Sequence, residues 1–261
     1  MYFLEFEIWN LESLAMAFHK KRQLYIILAL FFIFTWLTLS RSIWQTSMSW
    51  LFPALDSVIY SMAPFTRLVG EHALLVLLSS GLAAVLGIAA GIGVTRSKGR
   101  DFLPAVSALA SMGQTFPPVA VLAIAVPVVG FGFRPTIIAL FLYGLLPILR
   151  NTITGMDSLD PAVLEAAAGM GMTPFEVLRS VELPLAMPVI LAGVRISIVI
   201  NIGTATLGAT IGAGGLGKPI IAGLIGENPA YILEGAILVG LFAILVDSCL
   251  GMVGRTQSDK T

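Results

Sequence analysis

Apolar runs long enough to cross a bilayer recur along this chain, and they leave it few folds. A span needs about 20 mostly apolar residues. Six such runs can be read: Leu24 to Ser40, His72 to Thr95, Leu103 to Val129, Pro135 to Leu149, Leu185 to Ile211 and Tyr231 to Val253. Lipid offers the backbone no hydrogen-bond partner, so each run is expected to be helical. The hydrophobic fraction is 57% and the charged fraction 11%, against about 25% charged in ordinary soluble domains. A soluble globule of this composition would expose much apolar surface and aggregate. The expected class is an all-α membrane protein with about six transmembrane helices.

Basic residues orient the spans. Lys20, Lys21, Arg22, Arg96, Lys98, Arg100, Arg150, Arg179, Arg255 and Lys260 fall on one side of the six-span arrangement. Only Arg41, Arg67, Arg134 and Lys218 fall on the other, and Arg195 lies within the fifth span. This bias places both termini in the cytoplasm. The N-terminus carries Glu5, Glu7 and Glu12 where a secretory signal would be basic, so it is not read as one. Leu4, Ile8, Leu11, Ala15 and Phe18 recur at helical spacing, which suggests an amphipathic helix on the inner membrane surface; a frayed extension is the rival reading. The net charge is zero and gives no argument for nucleic acid. Cys249 is the single cysteine, which excludes an intrachain disulfide; it is read as a small packing residue.

Between the fourth and fifth spans runs EAAAGMGMTPFEVLRSVELP, residues 165–184. Asp160-Pro161 suits a helix start, because Asp can cap and Pro fits the first turn. The Ala-rich stretch Val163 to Met170 should be helical, and Gly169 and Gly171 should end it. Thr173-Pro174 should start a second helix through Phe175 to Val181, closed by Leu183-Pro184 before the fifth span. The loop matches a fixed pattern: Glu165, Ala166, Ala167, three residues, Gly171, nine residues, Val181, any residue, Leu183, Pro184. Only Val181 departs, where isoleucine is commoner.

That pattern is the EAA loop, and the chain resembles the transmembrane subunit of a binding-protein-dependent ABC importer. GQTFPPVAVLAI (residues 113–124), IALFLYGLLPILRNT (residues 138–152) and IGTATLGATIGAGGLG (residues 202–217) bring it closer to the osmoprotectant permeases, which import glycine betaine, choline, carnitine or related compounds. The resemblance covers roughly His72 to Gly226. It implies a type I (MetI-like) permease fold with both termini and the EAA loop in the cytoplasm of a bacterial cell, the chain crossing its cytoplasmic (inner) membrane several times. Residues 1–23 would be the cytoplasmic amphipathic segment, residues 24–69 the first helix and an extracytoplasmic loop, residues 70–254 the permease core with the coupling loop at 157–184, and residues 255–261 a cytoplasmic tail. Coupling to the ATPase would fall on Glu165, Ala166, Ala167, Gly171, Leu183 and Pro184. The implied partners are cytoplasmic ABC ATPase subunits, a second permease subunit (identical or paralogous), an extracytoplasmic substrate-binding protein and the lipid bilayer. No cofactor and no nucleic acid are implied.

Three features remain two-sided. Ser197, Asn201, Thr204 and Gly208 recur along one side of the fifth helix; they could line a substrate pathway or pack helices. Gln114, Thr115, Phe116, Pro117 and Pro118 interrupt the third span, since proline removes backbone donors and kinks a helix. Such breaks often mark transport sites, or serve packing alone. Gly212, Gly214, Gly215 and Gly217 mimic a nucleotide loop. However, Pro219 stands where Ser or Thr should follow the lysine and no strand precedes the run, so a flexible outer gate or receptor seat is expected instead. Gly81, Gly87, Gly91 and Gly93 are read as close-packing sites, and Arg195, Glu234 and Asp247 as candidates for buried pairs. A metal role for His72 has no second histidine or cysteine beside it.

An intramembrane enzyme would need a nucleophile and base within the spans, and both histidines, His19 and His72, lie at span edges. A gradient-driven carrier usually shows repeated halves, and none is visible. The chain is therefore expected to be no enzyme, with ATP hydrolysis on a separate subunit. Within importers, a permease for amino acids such as methionine is the alternative.

Overall fold

The computed structural model describes the backbone of residues 2–258 and the side chains of residues 21–252. The elements in chain order are α1 (Tyr2–Leu39), α2 (Arg41–Leu51), α3 (Phe65–Thr95), α4 (Leu103–Thr115), α5 (Pro118–Val129), α6 (Phe133–Asp157), α7 (Pro161–Gly169), α8 (Pro174–Val177), α9 (Leu183–Thr204), α10 (Gly217–Ile225) and α11 (Pro229–Ser258). No strand occurs among the described residues.

The core is a sandwich of α3, α6 and α9. Glycines let the three approach: Gly87 and Gly91 of α3 meet Ile148 and Thr152 of α6, and Gly144 and Gly193 of α6 and α9 meet Asn201 and Asn151 across the other seam. Gly81 and Gly93 have nothing within 4 Å of a β-carbon instead, and Gly81 lines a cavity between α3, α9 and α11. α11 packs on α9, and α1 packs on α11 through a narrow stripe that includes Ile27, Leu30, Phe34 and Leu37. Phe34 stacks on Phe242 with ring centres 5.7 Å apart.

Contacts between helix ends give the number of crossings. Arg96, just past α3, pairs with Glu182 before α9, and Arg100 pairs with Asp157 at the end of α6. At the other end, Glu71 of α3 binds Gly215 beyond α9, and Gly132 before α6 lies beside Gly212. So α3 and α6 run parallel and α9 opposes them. The chain from Arg96 to Gly132 must therefore cross from one end to the other, and α4 with α5 is that crossing. With α1, α3, α6, α9 and α11 this makes the six spans expected, the α4–α5 pair being bent by 96°.

Five expectations change in detail. α3 begins at Phe65 rather than His72, because Arg67 and Glu71 neutralise each other one turn apart at 2.8 Å and the helix runs through them. α6 continues to Asp157, well beyond Leu149. The helix after Thr173 does not close at Leu183-Pro184. α8 passes through a π turn, Leu178–Glu182, directly into α9. A π turn shifts the hydrogen-bond register by one residue, and that absorbs the amide proton Pro184 lacks. The segment after the first span is not all loop. α2 buries Trp44 and Met48, one turn apart, and Trp44 Nε1 donates to Leu37 O at 2.8 Å. Cys249 lies exposed on α11 rather than in packing. α1 is continuous from Tyr2, but the apolar face expected over Leu4 to Phe18 rests on side chains outside those described, as do Arg255 and Lys260.

Candidate functional site

The EAA loop is built from local chemistry. Asp160 accepts from the Ala162 amide at 2.9 Å and caps α7. After α7, Gly171 takes φ +81°, a left-handed conformation that costs other L-residues about 1–2 kcal/mol. Thr173 and Glu176 then form a reciprocal cap: the Thr173 amide donates to Glu176 Oε2 at 2.7 Å, and the Glu176 amide donates to Thr173 Oγ1 at 3.4 Å. Ala167 is buried, while Glu165, Ala166, Gly171 and Pro184 are exposed and Leu183 is half-buried. The pattern residues therefore divide into one that seats α7 and several that face outward. Val163, Met170 and Phe175 are exposed beside them, so the loop presents an apolar patch at the end of the bundle.

Two ion pairs hold that patch to the helices. Arg96 grips Glu182 with two parallel bonds, one of 3.0 Å, a forked geometry that fixes direction as well as distance. Arg100 reaches Asp157 at 3.3 Å. Sequence reading used Arg96 and Arg100 only as markers of sidedness, and passed over Glu182 as the variable position before Leu183. Its signal was a lone carboxylate at the head of an apolar span.

The break in the third span lies level with the middle of α6. Gln114 Nε2 donates to Tyr143 O at 2.8 Å, and the Tyr143 hydroxyl donates back to Phe116 O. Tyr143 is near the middle of α6, so this clasp holds the bend at mid-depth. Thr115, Phe116 and Pro117 are exposed on the single chain. Tyr143 carried no recognisable signal.

On α9, Ser197 and Asn201 are fully buried. Asn201 Nδ2 donates to Ser80 of α3 at 2.9 Å, and both residues press on Gly144 of α6. In the single chain they join three helices and face no open space. Thr204 is half-buried and its hydroxyl donates to the Ile200 carbonyl. Beyond it the helix tightens into a 3₁₀ segment, Ala205–Ile211.

At the opposite end, Gly212, Gly214 and Gly215 take φ values of +81°, +92° and +77°, and Gly217 has the Thr206 backbone against it. The turn is clamped to α3: Glu71 accepts from the Gly215 amide at 3.0 Å and from Lys218 Nζ at 3.4 Å. His72 Nε2 lies 2.9 Å from the Ile202 carbonyl, bracing the same helix end. Of the three expected buried ionisable groups, Arg195 and Asp247 pair with each other at 2.5 and 2.6 Å. Glu234 is fully buried and accepts from the Tyr60 amide at 2.9 Å instead. Among the described residues no cluster suited to a metal ion occurs.

Comparison with known proteins agrees with this architecture. A family model described as the binding-protein-dependent transport system inner membrane component matches residues 83–258. The osmoprotectant import permease protein OsmY of Salmonella typhimurium is 44% identical over 192 residues, 73% of this chain and 81% of that protein. The glycine betaine/carnitine/choline transport system permease protein OpuCB of Bacillus subtilis is 42% identical over 191 residues, 73% of this chain and 87% of that one. Among solved structures, the inward-facing MetNI methionine ABC transporter matches with a TM-score of 0.67 and 25% identity, covering 74% of this chain and 95% of that chain.

Proposed function

The chain belongs to the family of binding-protein-dependent transport system inner membrane components, and we propose that it is the permease subunit of an ATP-driven importer of osmoprotectants such as glycine betaine, choline or related quaternary amines. The observation that carries this reading is the EAA loop, an exposed apolar patch on a stiff, doubly pinned frame. A surface of that kind wants a partner. In this reading the partner is a separate ATPase subunit, with Glu165, Ala166, Gly171 and Pro184 at the contact and Ala167 and Leu183 behind it. Two permease subunits face one another across the pathway, and a substrate-binding protein delivers the ligand outside. The excess of basic residues near the EAA end supports a cytoplasmic position for that end and both termini.

The geometry supplies a route for the stroke. From Pro174 to Ile211 the chain is one continuous helical rod, roughly 55 Å long at helical rise. One end carries the docking surface and the other carries the glycine turn held by Glu71. Movement of the ATPases would tilt this rod and load the turn, which acts as the outer gate. Gln114, Thr115 and Pro117 at the break lie at the depth where substrate would pass. Ser197 and Asn201 act by holding α9 to its neighbours, so the rod moves as a unit, while Thr204 bonds its own helix at the outer end.

The test is uptake by the assembled complex in proteoliposomes, with ATP inside and binding protein with labelled ligand outside. ATP-dependent uptake of glycine betaine, choline or carnitine supports the reading. Uptake of methionine alone would keep the importer mechanism and discard the substrate class.

A further inference from the structure

Arg195 and Asp247 belong to none of the machinery above. They line two adjoining cavities of one cleft, the larger between α9 and α11 and the smaller closed on one side by α1. One, of about 530 Å³, is lined by residues that include Pro188, Leu191, Val199, Leu250 and the ion pair. The other, of about 200 Å³, brings in Gln23, Ile26 and Ile27 of α1 and Ser248 of α11. Asp247 occupies the Nε and Nη2 edge of the guanidinium. Nη1 has no hydrogen-bond partner among the described residues, and it lies against Gly251, where a β-carbon would stand 3.1 Å away.

The pair sits within the spans yet is 43% and 37% exposed. Exposed charge of this kind is costly in hydrocarbon, so the open edge of Arg195 calls for a polar occupant. The surroundings say what kind. α1 touches the bundle only along its narrow stripe, and Leu24, Tyr25, Leu28 and Phe32 point outward. That side of the cleft therefore opens to lipid rather than to a central pathway. Gln23 lines the smaller cavity, and the two residues before it, Lys21 and Arg22, are exposed. They stand where the α1 span begins, at headgroup level. Lys21, Arg22 and Arg195 against the lone Asp247 leave an excess of positive charge. The larger cavity is mostly apolar in its lining side chains, which suits an acyl chain.

We propose that this cleft binds an anionic phospholipid, with Arg195 Nη1 donating to a phosphate oxygen, Lys21 and Arg22 supplying the surrounding charge and the acyl chain lying along α9 and α11. Asp247 holds the guanidinium plane so that its free edge faces outward. The shared chemistry is a phosphate anion, and basic pockets between transmembrane helices, on the side where basic residues gather, suit such head groups.

The test is native mass spectrometry of the assembled importer released from detergent, titrated separately with phosphatidylglycerol, phosphatidylcholine and inorganic phosphate. Phosphatidylglycerol should bind at least tenfold more tightly than phosphatidylcholine. Lys21→Gln with Arg22→Gln should weaken it about fivefold per charge removed, and Arg195→Gln should abolish the preference. Asp247→Asn keeps the cation and should retain it. Equal binding of the two lipids, or an unchanged preference in the Lys21→Gln/Arg22→Gln variant, would overturn the proposal. So would inorganic phosphate displacing phosphatidylglycerol at equal concentration, which would mark a free-anion site. If Arg195→Gln fails to assemble, the α1 double variant decides alone, since neither side chain makes a bond among the described residues.

Discussion

The two ends of the helical bundle are assembled by different means. At the EAA end the loop itself is built from neighbours in sequence, and only the frame beneath it, Arg96 with Glu182 and Arg100 with Asp157, joins distant segments. Asp160 caps α7 two residues away, Thr173 and Glu176 cap one another three residues apart, and Gly171 turns the chain between. At the glycine-turn end the parts are distant. Glu71 holds Gly215 across 144 residues, and Tyr60 and Ser57 meet Glu234 and Tyr231 across 174. Local bonds fix a shape without help from the rest of the fold, so the loop can stay stiff while fully exposed. Distant bonds each join two elements, so they break and re-form when helices move. A docking surface needs the first property, and a gate needs the second.

The sharpest way to break this contrast is Gly171→Asp. Nothing lies within 4 Å of a β-carbon there, and Asp tolerates the left-handed region better than most residues. The subunit should therefore insert and assemble with near-normal yield, while ATP-driven uptake falls by more than tenfold. Normal uptake would remove Gly171 from the contact surface. Glu182→Ala comes next. It leaves the half-exposed Arg96 guanidinium without its partner, which costs about 1–2 kcal/mol. Because the pair is the frame under the loop, thermal unfolding of the purified subunit should shift downward and uptake should fall with it. An unchanged melting curve would show that the loop needs no such frame.

Glu71→Gln tests the other end. It keeps an acceptor for the Gly215 amide but removes the charge that Arg67 and Lys218 share, an effect of about 1–2 kcal/mol for groups this close to water. The glycine turn should open more often, and a cysteine placed at Ala213 should label several times faster from outside the membrane. Equal labelling rates would mean that the turn is held by packing of His72 and Leu216 alone. A cysteine in the EAA loop should show no change, because the lost charge acts at the opposite end of the bundle.

What could be read from the sequence follows the same division. The spans, the helix-turn-helix of the loop, the turn at Gly171 and the break at Pro117 were all legible, since each rests on residues within one turn or one apolar run. The clamp of Glu71 was not, nor the clasp of Gln114 with Tyr143, nor the anchoring of the Tyr60 segment by Glu234. Each needs two segments brought together by packing, and no local pattern announces the partner. α2 was missed for another reason. Trp44 and Met48 carry a short amphipathic signal that a search for long apolar runs passes over. The π turn was missed because Pro184 ordinarily argues for a helix end, and only the register shift ahead of it reverses that argument.

The smallest effect expected is that of Thr173→Ala, and it bears most directly on the contrast. It removes the hydroxyl that accepts from the Glu176 amide, and caps of this type contribute about 1 kcal/mol. The lost bond belongs to α8 alone, so global melting should hardly move, because the helices that set it are packed elsewhere. Hydrogen exchange at Glu176 and Val177 should instead quicken about fivefold, the ratio that 1 kcal/mol implies. If α8 and α9 act as one rod, uptake should fall in step with this fraying, since a loosened end transmits less of the stroke through the π turn. If uptake stays level while exchange quickens, the stroke enters the bundle through α7 and the Arg100–Asp157 pair rather than along the rod.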